Sequence, residues 1–139
     1  MTIVVDASVA IKWVAHEAGS DHAVKLLFRQ MMAPSLFQAE VGHVLTKRVR
    51  RSQLQADQAR AGFAFIARQC TLLPIETLGD RALDLSLELN HSVHDCYYLA
   101  AAEASKRPLI TADAVFVAKL RNSGRGGRVY LLGEEVPND

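Results

Sequence analysis

Residues 2–5, Thr-Ile-Val-Val, are apolar throughout and end at Asp6; Pro108-Leu109-Ile110-Thr111 repeats the pattern and is followed by Asp113. Unbroken rather than alternating apolarity marks a strand covered on both faces, as in the centre of a parallel sheet. Cys70–Ile75 and Val129–Leu132 read as further short strands. Between them lie segments of helical period. Ser8 is positioned to cap a short helix through Val14. Asp21 to about Met31 is predicted helical, with Ala23, Val24, Leu27 and Met31 on one side. Ser35, after Pro34, is placed to cap a long helix to about Arg51, and Gln55–Arg68 follows as the second arm of a helical hairpin. Leu78, Ala82, Leu85 and Leu89 form one stripe of the next helix. Ser92-Val93-His94-Asp95 has the form of a capping box opening a helix to about Lys106. Ala114 to about Arg121 is the last helix, and Ser123–Gly127 a loop. Strands alternating with helices predict an α/β fold with a mainly parallel sheet.

The 139 residues suit one domain, with half of them hydrophobic and 22% charged. The expected division is a domain over 1–133 and a short flexible tail over 134–139. A formal net charge of +1 does not by itself mark a nucleic-acid binder. Cys70 and Cys96 sit in apolar segments without metal-ligand spacing and read as reduced core residues. No apolar run reaches membrane-spanning length, and the N-terminus lacks the features of a signal peptide, so a cytoplasmic protein is expected.

Four acids are hard to place structurally. Asp6 and Asp113 follow apolar strands, at the edge where open α/β sheets bind ligands. Glu40 lies on or beside the stripe formed by Phe37, Val41, Val44 and Leu45. Asp95 shares a helix face with Tyr98, Leu99 and Ala102. Each acid alone has a structural explanation: Asp6, Asp95 and Asp113 as caps, Glu40 in an ion pair. Together they predict one shared negative site, because clustered carboxylates repel unless a cation compensates. Oxygen ligands suit Mg²⁺ or Mn²⁺ better than zinc. Such an ion activates water and neutralises a phosphoryl transition state, so phosphodiester hydrolysis is the natural chemistry. No nucleophile elbow and no Walker-type phosphate loop is present.

The segments VDASVAIKW (5–13), HDCYYLAAAE (94–103) and PLITAD (108–113), with Glu40 in a mid-chain helix, resemble the PIN-domain nucleases, and among them the VapC-type toxins of toxin–antitoxin pairs. The resemblance spans essentially the whole chain. It implies a three-layer α/β/α fold and a metal-dependent endoribonuclease that leaves a 5′-phosphate and a 3′-hydroxyl. It further implies a homodimer neutralised by a VapB-type antitoxin. Asp6, Glu40, Asp95 and Asp113 match the family's catalytic acids, with Asp6, Asp95 and Asp113 as metal ligands. Ser8 and Thr111 match its supporting hydroxyls. Ala114, Val115 and Phe116 stand where some relatives carry a further acid.

Other signals are weaker. Lys47, Arg48, Arg50 and Arg51 form a basic run suited either to a solvated helix end or to RNA backbone contact. Lys12, near Asp6, is placed to touch substrate or to balance the acids. Arg125 and Arg128 in the glycine-rich loop are further phosphate contacts to consider. His94 adjoins Asp95 and reads as a helix-start polar residue rather than a ligand. Trp13, Tyr97 and Tyr98 read as packing residues, and Glu17 and Glu103 as surface or supporting groups. The rival from another class is a non-catalytic PIN-fold RNA- or partner-binding protein, which would need a broken acid set. A phosphatase of the haloacid dehalogenase type would need a second Asp where Ser8 stands.

Overall fold

The structure is a computed structural model that describes residues 2–138. Five strands form one parallel sheet among these residues: β1 (Thr2–Val5), β2 (Gln30–Pro34), β3 (Cys70–Leu73), β4 (Leu109–Thr111) and β5 (Val129–Leu131). Their spatial order is β3-β2-β1-β4-β5. The chain therefore builds outward from β1 through β2 to β3, then returns to the other side of β1 with β4 and β5. The reversal falls between β1 and β4, and a crevice opens there beyond the carboxyl ends of the strands.

Helices α1 (Ala7–Ala10), α2 (Ser20–Lys25), α3 (Leu36–Arg50), α4 (Ala56–Gln69), α5 (Gly79–Leu89), α6 (Val93–Ser105) and α7 (Ala114–Asn122) make the crossovers and flank the sheet in an α/β/α arrangement. The most apolar of these is α6, with Cys96, Tyr98, Leu99, Ala100, Ala101 and Ala102 all buried. It packs across β1, β2 and β4 at the sheet's centre and against α5. The predicted α5 stripe is the observed one, since Leu78, Ala82, Leu85 and Leu89 are all buried. The predicted hairpin is also formed, by α3 against α4. There Gly62 lets α4 approach Val14, whose side chain would lie 3.2 Å from any added Cβ.

The segment Asp21–Met31 departs from expectation. Helix α2 stops at Lys25, a 3₁₀ turn covers Leu26–Phe28, and residues 30–34 form β2. Val24 is exposed rather than on a buried stripe, whereas Met31 faces the core from a strand. Gln, Met and Ala carry helical propensity, but β1 needs a partner on this side, and Ile3 pairs with Met31 in the parallel ladder. Tertiary pairing overrides the local preference.

Capping differs as well. Asp6, not Ser8, caps α1, accepting from the Val9 amide. Neither Ser35 nor Ser92 makes a side-chain cap bond. The Ser35 hydroxyl instead accepts from the Ile75 amide across the molecule, at 3.2 Å. The capping box found is Gln55 with Gln58 at the start of α4.

Both cysteines are free thiols. Burial pushes Cys70 up to about 12 and Cys96 to about 11, leaving them protonated and unreactive. In the expected tail, Glu134 pairs with Arg121 and Val136 is buried, while Arg29 donates to the Val136 carbonyl at 3.0 Å. Asp139 lies outside the described residues. No described helix is long and apolar enough to cross a membrane.

Candidate active site

A pocket of about 450 Å³ opens at the switch point, and Asp6, Glu40, Asp95 and Asp113 all line it, with Ser8, Lys12, Glu17, Arg48 and Tyr98. Strand ends position the first pair of groups. Asp6 follows β1 directly and is buried. Its Oδ1 accepts from the Ser8 hydroxyl and from the Val9 amide, and its Oδ2 from the Thr111 hydroxyl. Each hydroxyl has a second duty. Ser8 Oγ accepts from the Ala112 amide and Thr111 Oγ1 from the Asp113 amide, both at 3.1 Å. Two short side chains thus lock the end of β1 to the turn after β4. Asp113 closes that turn by capping α7, accepting from the Phe116 amide at 3.0 Å.

Helices bring in the other two acids. Glu40 leans from α3 against α6, where the Tyr98 hydroxyl donates to its Oε1 at 2.5 Å. Tyr98 is buried as a packing residue should be, but its polar end belongs to the pocket. Asp95, in the first turn of α6, does not bond the helix amides as a capping-box acid would. Its Oδ2 lies 2.6 Å from His91 Nε2. Opposite a carboxylate oxygen, that nitrogen must carry the proton. His91 is held by stacking on Phe116 of α7, with centroids 4.4 Å apart. It reaches this position because α5 ends on Asn90 in the left-handed conformation, φ 51°.

The electrostatics follow from burial. Asp6 is raised to about 6, chiefly because burial penalises the charged form. The bonds from Ser8, Thr111 and Val9 oppose this, and the charge of Asp95 adds to it. Burial also raises Glu40, against the Tyr98 hydrogen bond and the nearby His94. The cations at the pocket wall do not relieve the acids: Arg48 and Lys12 both pair with Glu17, at 2.9 and 3.6 Å. The floor therefore combines a buried carboxylate with further anionic oxygens. Ligand atoms of His91, Asp95 and Asp113 lie within 4.8 Å of one another, while Asp6 stands outside that set with both oxygens already accepting protein hydrogen bonds. Asp6 Oδ2 accepts only the Thr111 bond and keeps a lone pair, so Asp6, Asp95 and Asp113, with His91 supporting Asp95, still make an oxygen-rich set that fits a divalent cation.

The residues expected at the site are placed unevenly. The four acids, Ser8, Lys12 and Arg48 line the pocket. Lys47 and Arg51 line a neighbouring groove, which shares Glu17, Val44 and Arg48 with it. Arg125 instead forms an ion pair with Glu88. Trp13 donates to the Ala23 carbonyl at 2.8 Å and packs against the core. His94 is exposed, its ring 3.5 Å from the Ser92 hydroxyl. The histidine at the acids is His91, not His94. Its signal was the four-residue spacing to Asp95 at a helix start. Glu17, read as peripheral, stands in the pocket wall, whereas Glu103 is an exposed partner of Arg81.

The fold and this site define a parallel α/β domain with a carboxylate pocket at the switch point of its sheet. The PIN domain model matches residues 3–120, and the chain belongs to that family. It is 31% identical over 119 residues to the Ribonuclease VapC1 proteins of two Mycobacterium tuberculosis strains, covering 83% of this chain and 88% of those proteins. Among solved structures, PAE2754 from Pyrobaculum aerophilum superposes with a TM-score of 0.69 at 24% identity, over 86% of this chain and 79% of that one. A toxin–antitoxin complex from Klebsiella pneumoniae superposes with a TM-score of 0.65 at 16% identity, over 96% of this chain and 99% of its counterpart.

Proposed function

We propose that this protein is a divalent-cation-dependent endoribonuclease and the toxin of a toxin–antitoxin pair. The observation that carries the reading is the convergence of all four acids on one pocket at the sheet's switch point, in a chain related to a named ribonuclease. Asp6, Asp95 and Asp113 hold the cation, Mg²⁺ or Mn²⁺, with His91 fixing the Asp95 carboxylate. When bound, the cation supplies charge neutralisation at the phosphate and lowers the pKa of water.

The chain's own groups do the rest. Glu40, raised by burial and oriented by Tyr98, takes a proton from the attacking water. The water oxygen forms a bond to phosphorus while the bond to the 3′-oxygen breaks. The 3′-oxygen leaves with a proton from solvent, giving a 5′-phosphate and a 3′-hydroxyl. Lys12, Arg48, Lys47 and Arg51 take flanking phosphates of the RNA. The same pocket mouth is the surface an antitoxin of the VapB type blocks, through a basic side chain of its tail matched to the carboxylates. A cytoplasmic homodimer is the form in which we expect the toxin to act.

The test is RNA cleavage by Asp6→Asn, Asp95→Asn and Asp113→Asn, each checked for an intact fold. Each is expected to lose about a hundredfold or more, since each removes a charged ligand from a hard-ion site. Cleavage at the parent's rate by all three would overturn the assignment.

A further inference from the structure

Glu17 occupies a place that an anion from outside can take. It lies in the link between the 3₁₀ turn at Ile11–Trp13 and α2. Its backbone is pinned, because the Glu17 amide donates to Ser20 Oγ at 3.0 Å and that buried hydroxyl donates to the Ala15 carbonyl. Its carboxylate spans two cations, with Oε2 2.9 Å from Arg48 Nη2 and Oε1 3.6 Å from Lys12 Nζ. Lys12 is held in turn by the Ala18 carbonyl at 2.7 Å.

This triad stands where two cavities meet. The acidic pocket lies on one side. On the other, a groove of about 500 Å³ is lined by His16, His43, Lys47, Arg51 and Gln53, and Glu17, Val44 and Arg48 belong to both. A polyanion cannot enter the acidic pocket without cations at its mouth. The two cations there are bridged by a carboxylate, one oxygen to each, a place that two oxygens of a phosphate can fill.

We infer that Lys12 and Arg48 form a phosphate subsite next to the reacting phosphodiester, with Glu17 as its resident anion, and that an RNA phosphate exchanges with Glu17 as the strand passes toward Lys47 and Arg51. This rests on the nuclease reading and adds to it a path for the strand. It also assigns Glu17 a role: a built-in competitor that lowers affinity for RNA and keeps both cations in place between encounters.

The experiment is fluorescence anisotropy of a labelled single-stranded oligoribonucleotide, with chelator to prevent cleavage, at about 0.15 M salt so that distant charges are screened. The proteins are the parent, Glu17→Gln, Arg48→Gln, the double variant and a control, Glu103→Gln. Glu103 lies about 12 Å along α6 from Asp95 by helical rise, and its substitution removes the same charge and frees an arginine, Arg81 of α5. Glu17→Gln is expected to bind about threefold tighter or more, with a salt dependence steeper by about 0.7, the increment for one further phosphate contact on a single strand. Arg48→Gln should bind more weakly, the double variant should lose the gain, and the control should match the parent. RNA binding that is unchanged in Glu17→Gln, a gain that survives in the double variant, or an equal gain in the control overturns the subsite and leaves the nuclease reading standing. Absence of RNA binding in every protein overturns both.

Discussion

Asp6 and Asp113 stand at the ends of neighbouring strands, whereas Glu40 and Asp95 project from helices, and the two pairs are held differently. On the strand side, backbone amides and two short hydroxyls do the holding: Ser8, Thr111 and the amides of Val9, Ala112, Asp113 and Phe116. The sheet that creates the crevice also fixes the acids beside it. On the helix side, each acid is fixed by one aromatic or imidazole side chain, Tyr98 for Glu40 and His91 for Asp95. On the strand side Asp6 is buried and electrostatically strained, while each helix-side acid depends on a single side-chain contact. Perturbing the strand side should change both stability and activity; perturbing the helix side should change activity with less effect on the fold.

The largest stability effect expected is at Asp6. Its folded pKa, about 6, lies above its usual 3.8. Between those values the folded state holds the proton more tightly than the unfolded state does, so this group's contribution falls as pH rises through the window and is lowest above it. A shift of this size corresponds to about 3 kcal/mol. With chelator present, urea denaturation should show Asp6→Asn more stable than the parent above pH 6, by up to about that amount, with the gap closing toward pH 4. A variant less stable than the parent at pH 7.5 would mean that the hydrogen bonds, not the buried charge, dominate at the strand side.

Thr111→Val comes next. It keeps the shape but removes the donor to Asp6 and the acceptor for the Asp113 amide, both buried or half-buried. A loss of about 1–3 kcal/mol is expected, because the partners are left unsatisfied. Cleavage should fall with it, as both strand-end acids lose their registration.

Tyr98→Phe is the matching change on the helix side, and the smaller one for the fold. It should cost about 1 kcal/mol, one hydrogen bond's net worth. The Tyr98 bond lowers the Glu40 pKa, so its removal raises that pKa further. The acid limb of the cleavage pH profile should move to higher pH, with RNA affinity little changed. An unshifted limb would remove Glu40 from the proton-accepting role.

The contrast also explains what could be read from sequence. Apolar strands ending in Asp6 and Asp113, the α5 stripe and the helical hairpin follow from local pattern, and each is present as expected. Strand β2 was hidden because Gln30–Pro34 lacks β-branched residues and becomes a strand only by pairing with β1 and β3. Two long-range pairings at the pocket were hidden for a different reason. Tyr98 meets Glu40, and Arg48 meets Glu17, across sequence separations of 58 and 31 residues. Such pairings are products of topology that no local period encodes. Asp6 displaced Ser8 as the cap because a carboxylate accepts more strongly than a hydroxyl, which then serves it better as a donor.

The strand-borne and helix-borne acids are proposed to form one cation site. Calorimetric titration of Mn²⁺ into the metal-free protein at pH 7.5 tests it most directly, with Asp6→Asn and Asp95→Asn run alongside the parent. A single shared site predicts saturable binding by the parent and at least about tenfold weaker binding by both variants, one from each side of the pocket. Mn²⁺ binding of equal strength in all three proteins, or in the parent and either variant, would contradict it.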